Sequence, residues 1–504
     1  MAPRRRLRVA ASVAAAAFCS FVLFSALPIG TAIPAPRANW VIEENAKPGT
    51  RAWKIPKRAP DDIEGYADRT SAVSGQRVRL YVNTSAASFR VRLFRLGWYG
   101  GDGGRRVWSS RDVDGVEQPA PVILPETNTV EAQWSRSLSV RIRNSWPEGS
   151  YLAKLVASSG GQSYVPLVIR NDGSHSALVV QHQVTTWEAY NMWGGASLYK
   201  GSDGTFKTRS RMVSFDRPYA ASGAGGMLKA LPFITLIEKA GMDVTYWTDV
   251  DLHERPGLLQ NHRSLVSLNH DEYWSTRMRA GAQNARAAGV NLAFFGANAI
   301  YRHIRFEDSR LGSNRHIVCY KIRGEDPLNG VNNSEVTVNW REPPLDRPES
   351  ALLGAMYQCY GVHADLVVAN ADVWVWAGTG LRDGDVIPGL VDGEYDRIWE
   401  DAPTPANVQI LAHSPLTCRN QPKFADTTYY TARSDAGVFD ASSTGWVEKL
   451  ECGAPVQSRT CDQRVVTVTT NVLDAFATGP AGERHPSSPN WSSFGYDLTS
   501  PTHP

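Results

Sequence analysis

Residues 269–301 have the sequence NHDEYWSTRMRAGAQNARAAGVNLAFFGANAIY, and this stretch decides the fold class. An apolar strand is predicted just before it over 264–268, a helix within it over 275–288, and a second apolar strand over 290–295. Strand–helix–strand alternation needs a crossover connection, so it predicts neighbouring parallel strands in an α/β sheet. In open α/β sheets, ligands bind beyond the carboxyl ends of the strands. We therefore expect a site where these two strands end.

Both strand ends carry side chains that suit acid–base or metal chemistry. The first strand ends in His270, Asp271, Glu272 and Tyr273, and the second leads to Tyr301. Imidazole and carboxylate groups can move protons, so the candidate catalytic residues are His270, Asp271 and Glu272. A more ordinary interpretation stays open. In it, the acids cap the following helix, and each tyrosine is a packed ring with a hydrogen-bonded hydroxyl.

The second strand end has the shape of a nucleophile elbow but lacks a nucleophile. The turn Gly296-Ala297-Asn298-Ala299 consists of small residues, with neither Ser nor Cys at its tip. The sequence also lacks the GxSxG, GxGxxG and P-loop signatures. Covalent hydrolase chemistry through such an elbow is therefore disfavoured.

Oxygen-bearing side chains at three positions suggest a hard metal ion instead. Tyr273 and Tyr301 are separated by one strand–helix–strand unit, and Glu394 lies in another acidic turn, GLVDGEYDRIWE over 389–400. Two phenolates and one carboxylate form a hard, anionic ligand set, which ferric iron fits better than zinc or copper. The predicted metal ligands are Tyr273, Tyr301 and Glu394.

The chain before this unit has a different periodicity. Short runs such as SFRVRLFRLG over 88–97 alternate apolar and polar residues, and turn signals separate them. Such spacing is typical of an antiparallel β-sandwich, which we predict over 61–172. The arginines of this run, Arg90, Arg92 and Arg95, are predicted to form the solvent face of one strand.

The predicted fold class is therefore α+β and multidomain. The predicted segments are a signal peptide or anchor over 1–32, a linker over 33–60, the sandwich over 61–172, an α/β domain over 173–478 with an insertion over about 304–365, and a mobile tail over 479–504.

The amino terminus has the features of a targeting segment. Basic residues precede an apolar run over 9–27, and Gly30-Thr31-Ala32 is a small-residue cleavage site. An uncleaved anchor stays open, because the apolar run is near the shortest helix that spans a bilayer. In both cases the protein is predicted to be secreted or to reside in the cell envelope.

Export makes disulfides expected among Cys319, Cys359, Cys418, Cys452 and Cys461. Five is an odd number, so at least one thiol is free or intermolecular. Cys452 and Cys461 could close a small loop, and Cys319 and Cys359 a larger one, but spacing alone does not settle the pairing. No CxxC with zinc-site spacing occurs, which disfavours a structural zinc.

Composition narrows the range of partners. A net charge of +3 over 504 residues gives no support to nucleic-acid binding, which would need a strongly basic face. A hydrophobic content of 42% is that of a globular protein. The sequence leaves open whether the chain forms a homo-oligomer or has an accessory subunit.

Four stretches of the chain resemble one known family. NHDEYWS, FFGANAIYR, GLVDGEYDR and the upstream RLFRLGWYGGDGGR are similar to the large (β) subunit of N,N-dimethylformamidase and its bacterial relatives, over about residues 60–478. The resemblance implies a β-sandwich joined to a domain folded like a class I glutamine amidotransferase without the nucleophilic cysteine. It also implies mononuclear iron held by two tyrosines and a glutamate, which fall on Tyr273, Tyr301 and Glu394.

The leading hypothesis is an exported, iron-dependent amidohydrolase that acts on a small amide. The ferric ion would polarise the carbonyl group and activate a water molecule. Two alternatives stay open. One is a non-catalytic cell-envelope module that uses the same fold to bind glycan or protein. The other is a hydrolase of sugar or peptide bonds that works through paired carboxylates such as Glu394 and Asp271.

Overall fold

The computed structural model describes Met1 and residues 36–55, 62–452 and 461–499. The chain separates into two compact units, Met1–Thr31 and Ala32–Pro504, and all elements named below belong to the second. Apart from Met1, the predicted signal peptide over 1–32 lies outside the described residues. Within the described residues, no helix is both long and apolar enough to cross a membrane. The fold is a mixed α+β fold in which sheets predominate and helices are few.

The amino-terminal part consists of two main sheets that enclose an apolar core. One sheet has the strand order β1-β3-β9 and the other β2-β11-β10-β4-β5, with β6 also paired to β4 and a separate β7-β8 ribbon. The elements are helix α1 (Asn39–Asn45) and strands β1 (Glu64–Ala67), β2 (Ser71–Val73), β3 (Arg77–Asn83), β4 (Ser88–Leu96), β5 (Gly104–Ser109), β6 (Val113–Asp114), β7 (Val122–Leu124), β8 (Thr129–Glu131), β9 (Leu138–Arg141), β10 (Gly149–Ala157) and β11 (Gln162–Arg170).

The prediction of a common solvent face for three arginines of β4 was wrong for one of them. Arg90 is exposed and Arg92 half-buried, but Arg95 is fully buried. Its guanidinium forms an ion pair with Glu238, with Nη2 to Oε1 at 2.6 Å. Period-two alternation fails here because the end of β4 is covered on both faces by other parts of the chain.

The second part is built around a seven-stranded sheet with the order β14-β12-β15-β17-β24-β23-β22. The first five strands are parallel, and β23 and β22 continue the sheet in antiparallel fashion. The central elements are β12 (Leu178–His182), α2 (Val184–Ala189), β13 (Met212–Ser214), α3 (Met227–Lys239), β14 (Val244–Thr248), α4 (Asp249–Glu254), β15 (Ser264–Asn269), β16 (Tyr273–Ser275), α5 (Thr276–Ala287) and β17 (Asn291–Gly296).

The strand–helix–strand unit predicted from the sequence is present as β15, α5 and β17. Its parallel pairing runs from Ser264 opposite Asn291 to Asn269 opposite Gly296. The helix begins after Ser275, whose side chain accepts a hydrogen bond from the Met278 N–H and so caps the first turn.

The chain after β17 forms the edges of this core. Its elements are β18 (Arg302–Ser309), β19 (Gly312–Val318), α6 (Ser350–Leu353), β20 (Met356–Val367), β21 (Val386–Arg397), β22 (Gln409–Cys418), β23 (Gln421–Thr431), β24 (Gly437–Asp440) and α7 (Gln463–Phe476). Strands β13, β19, β18 and β16 form a four-stranded sheet, and β20 pairs with β21 in a long hairpin. The sequence DVWVWAG over 372–378 alternates as a strand would, but it contains a 3₁₀ turn at Trp374–Trp376.

Two segments outside the predicted domains have defined positions. Helix α1 lies in the predicted linker, and its Asn45 donates to Glu238 of α3 at 2.8 Å. In the predicted tail, Trp491 donates to the carbonyl oxygen of Ala406 at 2.8 Å, and Leu498 is buried. Both segments therefore pack against the central core.

The cysteines form two disulfides, Cys359–Cys418 and Cys452–Cys461. The pairing of Cys452 with Cys461, which their spacing suggested, is confirmed. The suggested pairing of Cys319 with Cys359 was wrong, because Cys319 is a buried free thiol next to the four-stranded sheet. Packing of β20 against β22, rather than distance along the chain, brings Cys359 close to Cys418.

Candidate active site at the switch point of the sheet

A cavity of about 560 Å³ opens at the carboxyl edge of the seven-stranded sheet. Strand β12 lies between β14 and β15. The connection from β12 to β14 runs toward one edge of the sheet, and the connection from β15 to β17 runs toward the other. Such a switch point creates a crevice between the ends of the two adjacent strands. Gln183 follows β12, Asn269 and His270 come from the end of β15, and all three line the cavity. The predicted location of the site at these strand ends is therefore where the fold has its crevice.

Glu272 is the centre of a buried polar network behind this cavity. Tyr190 and Tyr199 donate to its carboxylate at 2.9 and 2.7 Å, and Arg302 Nε lies at 3.4 Å. Burial alone would raise the pKa of Glu272, but the positive charges of His270, Lys321 and Arg302 outweigh it, and the pKa is lowered. Glu272 is thus held as a carboxylate.

Two carboxylates face the same nitrogen of His270. The distance from His270 Nε2 is 3.4 Å to Glu272 Oε2 and 3.3 Å to Glu394 Oε2. Glu272 is almost inaccessible to solvent, with a side-chain exposure of 2%, whereas His270 and Glu394 are about one-fifth exposed, at 20% and 19%. The buried carboxylate can therefore fix the imidazole, while the other two groups meet the cavity.

Asn298 ties these groups together from the turn after β17. Its amide nitrogen donates to Glu394 Oε2 at 2.6 Å and lies 3.1 Å from His270 Nε2. Its own backbone N–H is held by both oxygens of Asp396, at 2.9 and 3.1 Å. Burial raises the pKa of Glu394, the charge of His270 opposes this effect, and the charge of Glu272 reinforces it. Glu394 is thus the more easily protonated of the two carboxylates.

Tyr273 does not line the cavity. Its ring is fully buried, and its hydroxyl donates to Tyr199 Oη at 2.8 Å and accepts from Lys321 Nζ at 2.7 Å. Burial, reinforced by the charge of Glu272, raises the pKa of Tyr273 well above its ordinary value. Burial next to Arg302 lowers the pKa of the Lys321 ammonium to about 7.

Tyr301 lies on the opposite side of Arg302. Its hydroxyl accepts from Asn339 Nδ2 at 2.9 Å, and its ring packs edge-on against Tyr357 at 5.1 Å between ring centroids. The Arg302 guanidinium stacks over the Tyr301 ring at 4.7 Å and also donates to Asn339. Tyr301 is therefore joined to Glu272 through Asn339 and Arg302.

Asp271 is placed differently from its two neighbours. Its carboxylate accepts from Gln181 Nε2 at 2.9 Å and from Ser267 Oγ at 2.7 Å, and it is buried within the sheet. Burial raises its pKa to about 6. Asp271 does not line the cavity that His270 and Glu394 share.

The backbone around the network is strained. Asn269, Asn298, Ile300 and Lys321 have φ values of 51°, 56°, 58° and 64°, in the left-handed region that residues with a Cβ rarely adopt. For Ile300, a β-branched residue, this conformation is a marked outlier. Strained backbone persists only where the surroundings fix it, and it concentrates at functional sites.

Gly296 allows the two strand ends to approach each other. A Cβ at this position would collide with the carbonyl oxygen of Asn269 in the next strand. Glycine is therefore required for Asn298 and His270 to meet across the ends of β15 and β17.

The three predicted metal ligands belong to one network but have separate partners. Tyr273 contacts Lys321, Tyr301 contacts Asn339, and Glu394 contacts Asn298. Among the described residues, no three His, Cys, Asp or Glu side chains are grouped as a metal site, so a metal here would depend on tyrosine oxygens. The donor chemistry, phenol oxygens beside carboxylates, fits a hard cation.

Several residues of the network carried no signal in the sequence. Tyr190 and Tyr199 stand in an irregular segment after α2, and Lys321 lies within the predicted insertion. A lysine or a tyrosine in a loop has no periodicity that marks it as functional. Only the strand ends, where His270, Glu272 and Asn298 occur, could be recognised from the pattern alone.

Comparison with known proteins identifies the family. The family model described as "N,N-dimethylformamidase beta subunit-like, C-terminal" matches residues 90–462, about three quarters of the chain. The chain belongs to this family. The match starts within β4 and includes every residue of the network described above, from Tyr190 to Glu394, so the family assignment covers the site itself.

Other comparisons add little to the family assignment. No curated protein matches the chain. Among solved structures, a cycloisomaltooligosaccharide glucanotransferase of Paenibacillus sp. in complex with cycloisomaltoheptaose aligns at 10% identity, with a TM-score of 0.17. That alignment covers 62% of this chain and 63% of the other, which is less than two thirds of its length.

Proposed function

We propose that this protein is an amidohydrolase whose reaction takes place at His270 and Glu394. The family assignment supports hydrolysis of an amide. The observation that carries the proposal is the arrangement at the cavity wall, where Glu394 and the buried Glu272 lie within 3.4 Å of one imidazole nitrogen. An accessible base beside an oriented imidazole is what amide hydrolysis requires.

Each group has a role that follows from its surroundings. In hydrolysis, a water molecule loses a proton and adds to the amide carbon, and the C–N bond then breaks as the nitrogen gains a proton. Glu394, partly exposed and basic because of its raised pKa, is suited to accept the proton from water. His270 is suited to deliver a proton to the leaving amine, because it lines the cavity and the Glu272 carboxylate lies 3.4 Å from its Nε2. The products are a carboxylic acid and an amine.

We further propose ferric iron as the cofactor, with Tyr273, Tyr301 and Glu394 as the residues that would hold it. With iron bound, His270 rather than Glu394 would accept the proton from water. When bound, the ion would supply Lewis-acid chemistry to the carbonyl group and to water. The phenol oxygens would have to lose their protons, which their raised pKa values oppose without a cation. The Lys321 ammonium donates a hydrogen bond to the Tyr273 hydroxyl and supplies part of the positive charge that a bound cation would supply there.

The finer features of fold and location also belong to the proposal. We propose that the domain around the seven-stranded sheet is of the class I glutamine amidotransferase type without a nucleophile, as its turn at Ala297-Asn298 suggests. We propose that the protein is exported to the cell envelope or beyond, which its two disulfides favour.

The test is hydrolysis of N,N-dimethylformamide by the purified chain, followed as release of formate and dimethylamine. Glu394→Gln should lower kcat by about 10²- to 10⁴-fold, the usual contribution of a general base. Asp392→Asn is a matched control, since Asp392 lies on the same strand and lines the cavity but pairs with the exposed His363. Equal activity of wild type and Glu394→Gln would contradict the proposal.

The metal is tested separately by elemental analysis and absorption spectroscopy. Iron-loaded protein should show a phenolate-to-iron charge-transfer band that Tyr301→Phe weakens. Hydrolysis of amides by the metal-free protein would show that iron is not needed, but it would leave the proposed roles of His270 and Glu394 intact. A protein that hydrolyses no amide, and whose biological activity survives Glu394→Gln, would point instead to a non-catalytic binding module.

A further inference from the structure

The candidate cavity is much larger than a small dialkyl amide requires. Its volume of about 560 Å³ falls within the range of about 300 to 1,000 Å³ that is typical of pockets for drug-sized ligands. A dialkylformamide consists of only a handful of non-hydrogen atoms and would leave most of this space to water. The lining of the cavity therefore indicates what else the substrate carries.

One part of the lining is aromatic. Trp187, Tyr190 and Tyr219 all line the cavity, and the rings of Trp187 and Tyr219 meet edge-on at 6.3 Å. Aromatic rings prefer offset-stacked or edge-to-face contact with other rings, and each such pair contributes beyond its buried area. A ligand ring can therefore pack in the corner between Trp187 and Tyr219.

Two glycines keep this corner open. Gly225 and Gly226 line the same wall. A Cβ at Gly225 would come within 2.9 Å of the Trp187 ring, and one at Gly226 would collide with the indole nitrogen. The Trp187 ring can lie flat against the backbone only because both positions lack a side chain.

The hydrogen-bonding groups near the acid–base pair match a secondary amide. Gln183 Oε1 is a buried acceptor and Asn269 Nδ2 a buried donor, and neither has a hydrogen-bond partner among the described residues. They belong to the ends of β12 and β15, two adjacent strands, and both residues line the cavity. Buried polar groups without partners are unfavourable, and a ligand that bonds to them removes that penalty. Each of these atoms is almost inaccessible to solvent, so its side chain must turn toward the cavity before it bonds to a ligand. An amide N–H then matches Gln183 Oε1, and an amide C=O matches Asn269 Nδ2.

We propose that the substrate of this site is a secondary amide with an aromatic substituent, rather than a small, fully N-substituted amide. This inference rests on the proposed amide hydrolysis but adds the substrate class. The aromatic ring would lie between Trp187 and Tyr219, and the amide would lie at the switch point beside His270 and Glu394.

A panel of four formamides tests both features of the substrate. N-methylformamide and N,N-dimethylformamide are small, and formanilide and N-methylformanilide carry a ring. The first compound of each pair has an N–H group and the second does not. We expect formanilide to give a kcat/KM at least tenfold above each of the other three. A preference for either small amide, or equal values for formanilide and N-methylformanilide, would overturn the proposal.

Variants of Tyr219 test whether the aromatic ring of the substrate binds against this residue. Tyr219→Leu should lower kcat/KM for formanilide about tenfold and leave that for N-methylformamide unchanged, because only the aromatic substrate reaches this wall. Tyr219→Phe, which keeps the ring, should restore the preference. Tyr360→Leu is the matched control, since Tyr360 is 66% exposed on β20 and does not line the cavity. A loss in Tyr360→Leu equal to that in Tyr219→Leu would argue against the assigned position.

A binding measurement distinguishes failure of this inference from failure of the catalytic proposal. Calorimetric titration of formanilide into Glu394→Gln measures affinity without turnover. If no amide is hydrolysed but formanilide binds, and Tyr219→Leu weakens that binding, the substrate class stands and the catalytic proposal fails. If small amides are hydrolysed and formanilide does not bind, the catalytic proposal stands and this inference fails.

Discussion

The buried ion pair between Arg95 and Glu238 gives a sharp prediction about how the two halves of the molecule are joined. Arg95 belongs to β4 of the amino-terminal part and Glu238 to α3 of the second part, and both side chains are fully buried. Glu238 accepts two hydrogen bonds from Arg95, at 2.6 and 2.7 Å. It also accepts from Asn45 at 2.8 Å and from Tyr246 at 2.7 Å.

Replacing Glu238 by Gln keeps the shape of the side chain but removes the carboxylate with which the buried Arg95 cation forms its ion pair. Removing one partner of a buried pair typically destabilises a protein by about 3–5 kcal/mol. The double variant Arg95→Met/Glu238→Met removes both charges, so it leaves no isolated ion. It avoids the cost of an isolated cation, but Asn45 and Tyr246 each lose a partner, at about 1–3 kcal/mol apiece, so its stability should be comparable to that of Glu238→Gln.

Urea unfolding followed by tryptophan fluorescence and circular dichroism measures these differences. Coincidence of the two signals shows whether a single free energy describes the transition. Asp112→Asn is the control, because it breaks the exposed pair of Asp112 with Arg90 on the same strand, and the midpoint should not change. A loss below about 1 kcal/mol in Glu238→Gln would refute the argument, since that is the range of an exposed ion pair.

Three further predictions follow from single residues. Burial raises the pKa of Glu148 from 4.5 to about 7. Its folded form therefore binds a proton that the unfolded chain releases between these pH values, and stability should fall as the pH rises from 4.5 to above 7. The fall should be up to about 3 kcal/mol larger in the wild type than in Glu148→Gln, measured by urea unfolding at pH 5 and 8; equal slopes would contradict it. Cys319 is buried and free, so a thiol reagent should modify it only after unfolding, and peptide mapping of labelled native protein should find it unmodified. Asn298→Gly removes the contact with Glu394 but suits the φ of 56°, so activity should fall at least tenfold while the melting temperature stays within a few degrees; full activity would show that the contact is unimportant.

Local periodicity was enough to predict most of the elements. The strands over 88–97, 264–268 and 290–295 and the helix over 275–288 all occur within a residue or two of their predicted bounds. The prediction that Arg95 faces solvent and the suggested pairing of Cys319 with Cys359 were wrong. Each of these depends on what packs against the segment from elsewhere in the chain, which a local pattern does not contain.

The residues of the candidate site also fall into those that a local pattern marks and those that only the packing of the chain brings in. His270, Glu272 and the turn at Asn298 could be recognised because they terminate strands, and strand ends are visible in the sequence. Their convergence on Glu394, which is 96 residues from Asn298, could not be predicted from spacing. Asp271 is next to His270 in the sequence, but its carboxylate points into the sheet, where it accepts hydrogen bonds from Gln181 of β12 and Ser267 of β15.

The sequence by itself determined which segments become strands and helices, because backbone preferences and apolar periodicity act over a few residues. It also determined that polar side chains follow the ends of these strands. Only the tertiary structure decided that β12 lies between β14 and β15, which places Gln183 beside Asn269 and opens the crevice. Only it brought Tyr190, Tyr199 and Lys321 from distant loops around Glu272 and Tyr273. Strand order and loop packing depend on free energies summed over the whole chain, and these leave no mark on any single stretch of sequence.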